Sequence, residues 1–172
     1  MVLRINGRSK GYTYVELVVV ILLAALVLSL AMPRIQDAFL SDELKGTSRR
    51  LVGLIRNLRT EAVARSVDFD LHLDLDQGRY WVESSSMSLE ERARKQKEAS
   101  PFPEGVRVLD VWLRGYGKIM SGEVWIRISR KGYVHPSLIH LGAEDGRSFT
   151  LEMSPFLGKV KVYDRYTEYG EA

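Results

Sequence analysis

Glu16 is the only charged side chain between Tyr12 and Met32, in the run YTYVELVVVILLAALVLSLAM. A carboxylate within hydrocarbon costs on the order of 2.5–3.5 kcal/mol on insertion scales, so it calls for a partner and marks a function. A cut after Gly11 would create that partner. It would leave a cationic amine on Tyr12, one helical turn from Glu16 on the same face, in the same chain or a neighbour. The pairing has a purpose only if the leader is removed and the helix retained. Pro33 then closes the apolar run.

Other residue types suggest chemistry that their spacing does not support. Asp70, His72, Asp74 and Asp76 alternate along one strand pattern and carry donors suited to a hard cation. Alternate strand residues lie about 7 Å apart, too far for all four to ligate one ion. A solvated strand face, with no metal, is the expectation. Arg49, Arg50, Arg56, Arg59 and Arg65 could meet phosphates, but they read better as a wet helix side or as partners for acids on a neighbouring subunit. Lys159 and Lys161, on a terminal hairpin, are a weak candidate for DNA contact. His135 and His140 lack zinc-site spacing. Ser84-Ser85-Ser86 has no nucleophile elbow around it, and there is neither a P-loop nor an H-E-x-x-H pair. No catalytic residue, cofactor or enzyme activity is expected.

The elements that position these residues follow from periodicity. Residues 12–32, as a helix at about 1.5 Å per residue, reach about 31 Å, matching a hydrocarbon core of about 30 Å. Arg4, Arg8 and Lys10 precede it and favour a cytoplasmic N-terminus. Beyond Pro33, Ile35, Phe39, Leu44, Leu51, Leu54, Ile55, Leu58 and Ala62 recur at mostly helical steps, predicting an amphipathic helix over 33–66.

From residue 67 the period becomes two. Phe69, Leu71, Leu73 and Leu75 alternate with polar residues, and Asp76-Gln77-Gly78 turns the chain into Arg79–Glu83. Residues 84–104 read as a long exposed loop, with a short helix opened by a capping box at Ser88 and Glu91 and closed by Pro101 and Pro103. Further strands are expected at Val106–Leu113, Glu123–Ser129, Ser137–Leu141, Ser148–Met153 and Lys159–Tyr163. The fold class is α+β: a long N-terminal helix packed on an antiparallel sheet or sandwich formed by 67–172.

Charge supports no polyanion-binding role. The chain of 172 residues has a net charge of +3. Residues 1–11 hold three of its 25 basic residues and none of its 22 acids, so the remainder balances. Cysteine is absent, which rules out disulfides and thiolate chemistry.

GYTYVELVVVILLAALVLSLAMP resembles the class III signal of type IV pilins and type II secretion pseudopilins, in which a prepilin peptidase cuts after glycine and methylates the new N-terminus. The resemblance implies a cleaved leader at 1–11, cleavage at Gly11, N-methylation of Tyr12 (where the family usually has phenylalanine), an assembly glutamate at Glu16 and a helix kink at Pro33. LRTEAVARSVDFDLHLD (58–74) and GRSFTLEMSPFLGKVKVYD are similar to the H-type minor pseudopilins, the GspH/FimT-like family.

The implied protein is a single-pass bacterial inner-membrane subunit with its C-terminal domain in the periplasm. Its implied partners are the prepilin peptidase, sibling major and minor pseudopilins and the inner-membrane assembly platform. The alternative is a FimT-like minor pilin that binds DNA for uptake. An ordinary secretory signal, cut near Ser29-Leu30-Ala31, and an uncleaved signal anchor are the competing readings of the N-terminal segment. Both leave Glu16 without a purpose.

Overall fold

A computed structural model of the chain describes residues 13–155 and 159–170, with side chains described for 13–28, 43–155 and 159–170. It divides into two units, Met1–Ala38 and Phe39–Ala172. In the first, α1 (Tyr14–Arg65) begins. Thr13 caps it: its Oγ1 accepts from the Glu16 amide at 3.3 Å and its carbonyl accepts from the Leu17 amide. Every described side chain from Thr13 to Leu28 is exposed. Among the described residues, no helix is long and apolar enough to cross a membrane; the apolar sequence run extends past them to Met32.

In the second unit, Leu44, Leu51, Ile55, Leu58 and Ala62 are buried along one stripe of α1. Burying a leucine or isoleucine side chain contributes about 1.5–3 kcal/mol, so this stripe is a main attachment of the helix to the β structure. The helix ends on a Schellman motif. The Val67 amide donates to the Ala62 carbonyl and the Ser66 amide to that of Val63, while Ser66 takes φ 55°. This left-handed position is one that glycine usually fills.

The β structure forms two antiparallel sheets. The first, in the order β3-β2-β1-β6, contains β1 (Phe69–Asp74), β2 (Arg79–Ser84), β3 (Ser100–Pro101) and β6 (Glu123–Ile128). The second runs β5-β4-β7-β8-β9, from β4 (Val106–Leu113), β5 (Gly117–Ile119), β7 (Ser137–Ala143), β8 (Ser148–Met153) and β9 (Val160–Tyr163). Their inner residues, among them Leu71, Leu73, Ile126, Val111, Ile139 and Leu151, join the α1 stripe in one apolar cluster. The α+β class and the antiparallel pairing agree with the sequence reading.

Residues 84–104 are more ordered than a loop. The short helix α2 (Leu89–Lys97) opens with both halves of the Ser88–Glu91 capping box. Pro101 then pairs with Arg79 as part of an edge strand, where its missing amide costs no ladder bond. Phe102 turns inward and packs against Tyr80 with the rings tilted at 41° and their centroids 5.2 Å apart.

Candidate functional site

The residues expected to govern assembly sit at the start of α1. Glu16 lies in the first helical turn among exposed neighbours: Tyr14 is 81% exposed and Leu22 63%. Thr13 was missed by the sequence reading, although Thr13-x-x-Glu16 before an apolar run is a legible capping signature. The cap leaves the Glu16 carboxylate at the N-terminal pole of the helix, where the macrodipole favours negative charge. Gly11 and Tyr12 lie outside the described residues. Pro33 falls within the backbone span of α1, but its side chain, and with it the expected kink, lies outside them too.

The polar face of β1 resolves into separate pairs. Asp70 takes Arg127 through two bonds of 2.8 Å, Asp74 takes Arg79 at 3.2 Å, and Asp76 accepts from the Gly122 amide at 3.0 Å. His72 Nδ1 is 2.8 Å from Glu123, and its ring stacks on Trp81 at 5.0 Å. Each group has its own partner, and among the described residues no three such side chains converge on one point. At the neighbouring corner Arg130 hydrogen-bonds Asp68 and holds its carboxyl down at about 2.

A buried polar network lies under the C-terminal segment. His140 Nδ1 is 2.7 Å from Asp110 and Nε2 is 3.0 Å from the Thr167 carbonyl. The Tyr166 hydroxyl donates to the other Asp110 oxygen at 2.9 Å while its ring stacks on His140. Burial is the main reason the Tyr166 hydroxyl titrates above its ordinary value. Thr150 Oγ1 donates to the Arg165 carbonyl and accepts from the Thr167 amide. Tyr169 stacks on Trp112, and Lys118 reaches Glu168. His140 is therefore a structural post that pins residues 165–169 across the second sheet. His135, by contrast, contacts the Arg114 carbonyl, and Ser84 and Ser86 bond each other in a turn.

The basic residues take different kinds of partner. Arg50 pairs with Glu43, Arg65 with Glu61, and Lys161 with Glu152. Arg59 donates to the Gly132 carbonyl at 2.9 Å. Lys159 lines a groove with Arg56 and Arg59.

No protein-family profile matches the chain. Type II secretion system protein H of Pseudomonas aeruginosa is 27% identical over 146 residues, which cover 85% of this chain and 83% of that protein. Two solved structures of the minor pseudopilin EpsH from the type II secretion system of Vibrio cholerae share the fold. They superpose with TM-scores of 0.51 and 0.54 at 15% and 14% identity, covering 74% of this chain and 98% and 100% of theirs. The architecture is thus that of a pseudopilin, a helix carrying two antiparallel sheets. Within that class the resemblance is to type II secretion system protein H.

Proposed function

We propose that the chain is a structural minor pseudopilin of a type II secretion system, assembled into a periplasmic pseudopilus that serves protein export. One observation carries this reading: a wholly exposed apolar helix start, bearing the single carboxylate Glu16, belongs to a chain whose β domain has the pseudopilin fold. An apolar surface of this length needs a lipid or protein partner, and a pseudopilin helix has both in turn. Held first in the inner membrane with its N-terminus cytoplasmic, it passes into a filament of sibling subunits. Removal of residues 1–11 by the prepilin peptidase frees the Tyr12 amine, which pairs with Glu16 of the same or a neighbouring chain during docking on the assembly platform. Pro33 kinks the helix between its two halves.

The DNA-uptake alternative depends on Lys159 and Lys161 acting together. The Lys161–Glu152 pair at 3.8 Å and the balanced charge beyond the leader both disfavour it. Co-expression with a prepilin peptidase and intact-mass analysis tests the reading. The expected product begins at Tyr12 and carries one added methyl group. A mature chain beginning at Met32 overturns the assignment.

A further inference from the structure

Lys45, Arg49, Val52, Arg56, Arg59 and Val63 follow one another along α1 at alternating four- and three-residue steps. That spacing gathers them into a single stripe beside the buried one. Where the stripe meets the second sheet there is a groove of about 440 Å³ lined by Lys45, Arg49 and Arg56 over a floor of Val52, Gly53, Phe149 and Val162. It is followed by a wider stretch bounded by Arg56, Arg59, Val63 and Lys159. Among the described residues, no aspartate or glutamate lines either stretch. Gly53 leaves room, because a β-carbon there meets nothing within 4 Å.

Charge sets this stripe apart from the rest of the helix. Arg50 and Arg65, on other faces, have carboxylates of their own at 3.1 and 2.6 Å. Lys45, Arg49 and Arg56 have no carboxylate partner among the described residues. Aliphatic side chains are left open beside them: Val63 is 54% exposed and Val162 44%.

We infer that this groove receives an acidic helical face of a neighbouring filament subunit, one that carries carboxylates at three- and four-residue spacing with aliphatic side chains between them. The inference rests on the pseudopilin reading. Interleaved cations and branched aliphatics match such a face in both charge and apolar contact. A nucleic-acid backbone would satisfy the cations and leave the valines wet. The balanced charge of residues 12–172 also supplies no broad field to gather a polyanion. The complementary charges fix the register of the neighbour more than they add to raw affinity.

The chain has no cysteine, so Gly53→Cys in the full-length protein gives a unique handle for a benzophenone maleimide. Leu22→Cys gives a matching handle on the N-terminal helix. Both labelled proteins are irradiated in vesicles with the sibling pseudopilins and a duplex oligonucleotide, and the adducts are mapped by mass spectrometry. The expected adduct from position 53 falls on a subunit segment with at least two carboxylates at helical spacing. It drops about tenfold with Arg49→Glu and Arg56→Glu together and survives the paired change to lysine. Adducts to the oligonucleotide, to a neutral or basic segment, or unchanged by charge reversal overturn the proposal. Subunit adducts from position 22 with none from position 53 overturn the groove alone. Absence of both removes the pseudopilin reading and the groove with it.

Discussion

Asp110 stands directly opposite His140 across β4 and β7 because the register shifts between Val108 and Asp110. In an unbroken ladder Leu109 would face His140. The bulge steps Leu109 out of the pairing and brings the carboxylate to 2.7 Å from Nδ1. The displaced Leu109 side chain lies against Gly142, where any β-carbon would come within 2.7 Å of it. One inserted residue thus explains both the buried pair and the close approach of Leu109 to Gly142 on the next strand.

Replacing Asp110 with alanine strands His140 Nδ1 in a buried site and takes one partner from the Tyr166 hydroxyl. Removing one member of such a pair costs about 3–5 kcal/mol. Urea unfolding of the full chain in detergent, followed by tryptophan fluorescence, is expected to show a loss of that order. The Trp112 signal should change first, since Tyr169 stacks on it. A loss below about 0.5 kcal/mol would show that the network does not hold the C-terminal segment, because a surface change alone moves stability by that much.

Ser66 closes α1 at a positive φ without the freedom of glycine. Ser66→Gly is expected to stabilise the outer domain by about 0.5–1 kcal/mol, and Ser66→Val to destabilise it by more, since a branched side chain tolerates the left-handed region poorly. The same unfolding measurement decides it. A glycine variant less stable than wild type would mean that the serine hydroxyl contributes more than the backbone strain costs.

Glu16 and Thr13 have separable roles. Thr13→Ala removes the observed cap and is expected to weaken the first helical turn by about 1 kcal/mol, visible as faster amide exchange at Glu16 and Leu17, with assembly retained. Glu16→Ala is expected to leave membrane insertion intact or easier and to abolish or slow co-assembly with sibling subunits. Co-assembly at the wild-type rate in the Glu16 variant would disprove the amine–carboxylate pairing.

The parts of the fold legible in the sequence are those written in local pattern. Alternation located β1, β2, β4 and β8 almost to the residue, and Ser88–Glu91 announced α2. The short strands β3 and β5 were not legible, because two or three residues carry no period and their pairing is set by distant partners. The bulge did leave a trace. Alternate residues of β4 are buried from Val106 to Asp110, and Val111 directly after it is buried too, a break in phase that marks an inserted residue. The seat of residues 165–169 on His140 and Thr150 had no local signal. Neither did the pairing of Lys161 with Glu152, which stands opposite it across the ladder.

The two sheets present four outer strands, and each is blunted against strand addition. Pro101 withholds an amide on β3, and β5 is three residues long. On β6, Glu123 and Arg127 bracket the exposed Trp125, and the segment after it folds back so that the His135 amide occupies the Arg127 carbonyl. β9 is four residues long and carries Lys161. Proteins use these devices to keep sheet edges from zipping together. Copies of the chain brought close together are thereby kept from joining sheet to sheet.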